Sequence, residues 1–192
     1  LRQLLHALLA RDDLRPSPSP PPLREDHNLR DRPTIPDVTR RNGEQPNTHG
    51  PKAAVHIIGD SNVRRLKEIN GQTNISCHSV SGATTQQIER HISDIPDSSI
   101  APAIVLHIGT NDLAHTGSEK VVANIIRLGQ RLKARSGVQR VYICSVTPRR
   151  DMGSFIFSRS ESVNNRLHSF CDQNLDIDFI DLRQQLHRCP FG

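Results

Sequence analysis

From residue 53 onward, short apolar runs alternate with amphipathic ones, and this alternation restricts the fold more than any other feature. Residues 53–58, 75–80, 103–108, 138–146 and 177–180 read as strands of the buried type. Residues 62–69, 84–92, 118–135 and 160–172 read as helices between them. The third helix is the clearest: Ser118 serves as cap, Glu119 sits in the first turn, and Gly137 follows the end. Its buried stripe is Val121, Val122, Ile125, Ile126, Leu128 and Leu132. Strands apolar along their length belong inside a parallel sheet covered on both faces. Right-handed crossovers then give an α/β fold, a three-layer α/β/α sandwich on a five-stranded parallel sheet.

The first 52 residues are different. They hold nine of the thirteen prolines and almost no apolar periodicity. Residues 1–14 place Leu1, Leu4, Leu5, Leu8 and Leu9 on one stripe, as in a short amphipathic helix or the end of a coiled coil. Residues 15–52 open on Arg15-Pro16-Ser17-Pro18 and read as a Pro-rich disordered linker. Residues 53–192 are the folded domain. The low hydrophobic fraction, 34%, is therefore a local dilution by the leading segment.

The net charge of +5 is spread without a long like-charge block, which describes a solvated mixed surface better than a polyanion-binding one. The four cysteines (Cys77, Cys144, Cys171, Cys189) form no C-x-x-C pair and no His/Cys cluster has zinc spacing, so no zinc site is expected. They read as free thiols of an intracellular, cytoplasmic protein, with Cys144 in the core. No run is long enough to span a bilayer, so no membrane association is expected. The chain starts at Leu1, as a fragment or processed product would.

Strand-end loops are where an open α/β sheet places its site. The first strand runs into Gly59-Asp60-Ser61, the second into Gly82, and the third into Gly109-Thr110-Asn111-Asp112. Each residue has two readings. Ser61 is a hydroxyl nucleophile or a helix N-cap. Gly82 is an N–H donor to an oxyanion or a positive-φ turn. Asn111 is a neutral amide donor or a turn former. Asp60 can tie down its turn through its carboxylate. His107, inside a strand, reads as a half-buried structural histidine. Placed after successive strands, one hydroxyl and several donors are the parts of an acyl-transfer site.

These blocks, with Ser145-Val146-Thr147-Pro148 and Asn164-Asn165-x-Leu167, resemble the SGNH (GDSL-type) hydrolases over residues 53–182. The resemblance implies a flavodoxin-like fold and cofactor-free hydrolysis of acyl esters, thioesters or acetyl groups on sugars. Ser61 would be nucleophile and first oxyanion donor, Gly82 the second donor and Asn111 the third. Gly59, Asp60, Gly109 and Asp112 would support them. Asn62 stands where the name motif has leucine.

The family's late Asp-x-x-His block, its base and orienting carboxylate, is not found. Asp181 is followed by Leu182, Arg183 and Gln184; His187 follows Gln184 by three, and His168 follows Asn165. Asp112-Leu113-Ala114-His115 has the pattern but lies inside the third block. The expectation is a serine esterase-like domain, inactive or weakly active as this chain, whose small-molecule partner is an acyl ester or acetylated carbohydrate. One alternative is a non-catalytic binding module of the same fold. Another is the esterase-like domain of a LINE-type retroelement first-frame protein, with a nucleic-acid partner that no motif here supports. The chain displays no apolar lid, no sugar-binding aromatics and no sign of its oligomeric state.

Overall fold

The computed structural model describes residues 53–64, 74–148 and 153–183. The expected leading helix, the Pro-rich linker, the first domain helix beyond residue 64, and the tail holding His187 and Cys189 lie outside the described residues.

Five strands form one sheet: β1 (Val55–Gly59), β2 (Ile75–Ser79), β3 (Ala103–His107), β4 (Arg140–Cys144) and β5 (Ile177–Ile180). All neighbours are parallel, in the order β2-β1-β3-β4-β5. Chain direction across the sheet reverses between β1 and β3, and the carboxyl end of that junction is where such a sheet opens a crevice. The helices among the described residues include α1 (Thr85–Ser93), α2 (Thr110–His115), α3 (Ser118–Lys133) and α4 (Gly153–Cys171).

Successive strand side chains point to opposite faces, and the apolar strands divide accordingly. Ile58, Ile104, Leu106, Val141 and Ile143 pack with Ile88, Ile125, Leu128 and Leu167 of the helices. Val55, Ile57, Val105, Tyr142 and Cys144 form the second core, with Val63. Every residue of β1 and β3 is buried, as central strands require. Cys77, Cys144 and Cys171 are buried, and burial pushes the Cys171 thiol up to about 12. No helix among the described residues is long and apolar enough to cross a membrane.

Several boundaries differ from the sequence reading. β4 is two residues shorter at each end, because Val138 and Val146 enter the core from loops. The cap of α3 is Gly117, with Ser118 already helical and Ile126 only partly buried. α4 begins seven residues before the expected position: Phe155 and Phe157 are exposed around buried Ile156, which erases the helical period there. α2 was not expected. It is too short to show a period, and Gly109 enters it at φ +104°, a conformation open to glycine.

Candidate active site

The three strand-end loops are tied to one another. The Val80 N–H donates to the Gly59 carbonyl (3.0 Å), joining the ends of β1 and β2. The Asn111 Nδ2 donates to the Ala83 carbonyl (3.0 Å), and the Asp112 Oδ2 accepts from the Thr85 N–H (2.9 Å). The β2 and β3 loops are therefore stapled by the two side chains of one Asn-Asp pair. Asp112 is buried, so its carboxylate holds α1 in place rather than facing solvent. Asn111, half-buried, uses one amide hydrogen for this bond; a carboxamide carries two.

At the end of β1, the turn is built by Asp60. Its carboxylate is buried, and Oδ1 accepts from the Asn62 N–H (2.9 Å), while its carbonyl accepts from the Val63 N–H (3.1 Å). Asp60 thus does the capping that Ser61 was a candidate for. Ser61 opens the helical residues 61–64 with an exposed side chain, and its hydroxyl has no hydrogen bond among the described residues. Gly59 is forced by close approach: a Cβ there would lie 2.3 Å from the His107 carbonyl oxygen and 2.6 Å from Val63 Cγ2. Gly82 is exposed at φ +69°, with open space where a Cβ would stand.

On the β3 side, Thr110 Oγ1 donates to the Thr147 carbonyl (2.8 Å), drawing the loop after β4 inward. Asn164 of α4 clamps that loop from below: its Oδ1 accepts from the Val146 N–H (2.7 Å) and its Nδ2 donates to the Val146 carbonyl (3.0 Å). Ser145 Oγ accepts from the Leu182 N–H (3.0 Å), linking the ends of β4 and β5. The anchoring roles of Thr110 and Thr85 left no mark in the sequence, because their partners, the Thr147 carbonyl and the Asp112 carboxylate, are 37 and 27 residues away respectively.

The histidines are placed as follows. His107 is fully buried, not half-buried, and its Nδ1 has no hydrogen-bond partner. Burial depresses its proton affinity, and the nearby Asp60 carboxylate works against that without reversing it. His115 is exposed at the end of α2, and the Asp112 carboxylate beside it in sequence is committed to Thr85. His168 pairs instead with Asp172 on the surface (2.9 Å). At the end of β5 the Asp181 carboxylate is gripped by the Arg183 fork (2.9 and 2.7 Å), which lowers its proton affinity. No histidine among the described residues bonds to Ser61. No group of three or more His, Cys, Asp or Glu among the described residues could hold a metal ion.

The fold has known counterparts. A GDSL-like lipase from Bacteroides thetaiotaomicron superposes with a TM-score of 0.59 at 22% identity, over 68% of this chain and 69% of that one. An acetyl xylan esterase gives 0.53 at 19%, over 68% and 78%. The C-terminal catalytic domain of peptidoglycan O-acetyltransferase A from Streptococcus pneumoniae gives 0.56 at 12%, over 72% and 74%. Identities this low speak for the fold alone. No curated protein matches the chain. The model of the GDSL-like lipase/acylhydrolase family, however, matches residues 47–190, three quarters of the sequence and all of the strand-end loops described above. The chain therefore belongs to the GDSL-like lipase/acylhydrolase family.

Proposed function

We propose that this domain is a serine ester hydrolase of the SGNH type, cleaving an acyl or acetyl ester through Ser61. The observation that carries the reading is the stapling of the loops after β1, β2 and β3 at the sheet's switch point. In this reading Ser61 Oγ attacks the ester carbonyl. The Ser61 and Gly82 N–H groups, with the second Asn111 amide hydrogen, receive the oxyanion. Two features support these assignments. Asp60 has taken over the cap, leaving the Ser61 hydroxyl uncommitted among the described residues. The Ala83 carbonyl fixes the Asn111 rotamer next to Gly82.

A base is the weak part of the site. A neutral serine hydroxyl attacks slowly at pH 7, and general-base assistance is worth roughly 10²–10⁴ in rate. Among the described residues no imidazole holds Ser61, so we propose that this 192-residue chain hydrolyses esters at a rate barely above buffer. The test is p-nitrophenyl acetate hydrolysis by the full chain. Ser61→Ala should remove the residual rate, and Asn111→Ala should bring it down to the buffer rate, in line with the loss of one oxyanion donor. Residual hydrolysis indifferent to Ser61→Ala would sink the nucleophile. Vigorous hydrolysis abolished by Ser61→Ala would keep the nucleophile and overturn the missing base.

A further inference from the structure

The two faces of the sheet are covered unequally. The steps from β2 to β3, β3 to β4 and β4 to β5 all run in the same direction across the sheet, so right-handed crossovers place α1, α3 and α4 on one face. The first core agrees: Ile88, Ile125 and Leu167 come from those three helices. Among the described strands only the step from β1 to β2 runs the other way, which puts the crossover after Ser61 on the second face, above β1 and β2. No crossover between these strands falls on the second face of β3, β4 and β5. That face is nevertheless roofed. Val105 and Tyr142 are 0% exposed and Cys144 1%. Yet Val63 and Leu182 are the only buried members of this core that lie off the strands. Val63 follows β1, two strand spacings (about 10 Å) from β4, and Leu182 lies past the carboxyl end of β5. Two aliphatic side chains at the margins cannot seal a tyrosine in the middle of β4 from solvent.

We infer that residues 1–14 supply the roof: a helix whose leucine stripe docks on the second face of β3, β4 and β5. A single chain achieves this burial, which argues against a second copy as the occupant. The stretches before β1 and after β5 are the ones that no crossover commits. After Arg183, six residues lead to Pro190, room for less than two helical turns, and Leu186 and Phe191 are the large apolar side chains there. Before β1, residues 15–52 have almost no apolar periodicity, whereas Leu1, Leu4, Leu5, Leu8 and Leu9 fall on one stripe. Fourteen helical residues run about 21 Å, enough to cross three strands set about 5 Å apart. The stretch 15–52, at ~3.3 Å per extended residue, has a contour of over ~100 Å and sets no limit on where the helix seats.

Tyr142 is the one tyrosine of the sequence, so its ring protons are identified without ambiguity. In the full chain, NMR should show nuclear Overhauser contacts from that ring to leucine methyls within residues 1–14. Ring contacts confined to residues 53–192 overturn the assignment. So do contacts to residues 1–14 that arise only between differently labelled copies in a mixed sample, which make the occupant a second chain. Thiol labelling reads the same roof from another side. Cys144 belongs to the second core and Cys171 to the first. In Leu5→Asp/Leu8→Asp, iodoacetamide should modify Cys144 at least tenfold faster than in the parent and leave Cys171 as it was, each peptide being counted by mass spectrometry. Leu5→Ile/Leu8→Ile should label like the parent. Unchanged Cys144 labelling in the aspartate variant overturns the roof. If both cysteines become reactive the variant has unfolded, and the ring contacts of the parent decide. No readout here involves ester hydrolysis, so the inference stands apart from the Ser61 reading.

Discussion

Replacing Gly59 by alanine puts the packing account of the switch point at risk with a single methyl group. The new Cβ would sit 2.3 Å from the His107 carbonyl oxygen and 2.6 Å from Val63 Cγ2. The first contact is about 0.7 Å inside the 3.0 Å that real Cβ atoms keep. Its partner is the main chain of a central strand, bonded on both sides and unable to step back. The second partner is a β-branched side chain with one preferred rotamer in a helix. Inserting a methylene into a well-packed core costs typically 1–3 kcal/mol, and an immovable partner puts Gly59→Ala at about 3 kcal/mol. For a domain of this size that is a fall in Tm of roughly 6–12 °C. Gly129→Ala is the control. Its Cβ would meet side-chain atoms alone, Ile143 at 3.3 Å and Ile177 at 3.9 Å, and the helix gains about 1 kcal/mol from alanine, so little net change is expected. Urea titrations followed by far-UV circular dichroism read both. A loss below 1 kcal/mol for Gly59→Ala, or equal losses for the two variants, would refute the argument that β1 and β3 meet too closely for any side chain.

Two further outcomes follow from buried polar groups. Asn164→Ala strips the Val146 N–H and carbonyl of partners in a site that is 0% exposed; each orphaned buried group costs about 1–3 kcal/mol, so a loss of about 2–4 kcal/mol is expected in the same titration, and a loss under 1 kcal/mol would contradict it. His107 holds its proton less tightly when folded, chiefly through burial, so the unfolded chain binds more protons once the pH drops to the ordinary imidazole value of about 6.5. Its neutral form therefore contributes stability that is fully present above pH 6.5 and lost as the pH falls toward its folded value. The stability gap between the parent and His107→Gln should stay flat from pH 8 to 7 and shrink on further acidification; a constant gap down to pH 5 would refute it.

What could be read from the sequence was whatever a local pattern encodes. β5 lies at 177–180 as expected, because a short β-branched and aromatic run bounded by polar residues has one reading. α3 lies within a residue or two of its expected limits, because sixteen residues display a helical period several times over. The glycine–hydroxyl–carboxamide blocks were legible as a family resemblance, since their spacing is imposed by loops after successive strands. What stayed hidden depends on distant partners. α2 is one and a half turns long, so Gly109 and the Asp112–Thr85 bond decide it rather than periodicity.

The one-dimensional chain determined the layering and the strand alternation, since hydrophobic period and turn chemistry are properties of neighbouring residues. Tertiary structure alone decided which polar groups are committed. Asn111 spends one hydrogen on Ala83. Asp112 turns inward to Thr85, and two phenyl rings come to stand outside. A side chain's donors and acceptors are claimed by whatever the fold brings within 3 Å. That outcome is set by packing across 27 residues or more of intervening chain, which no local window contains.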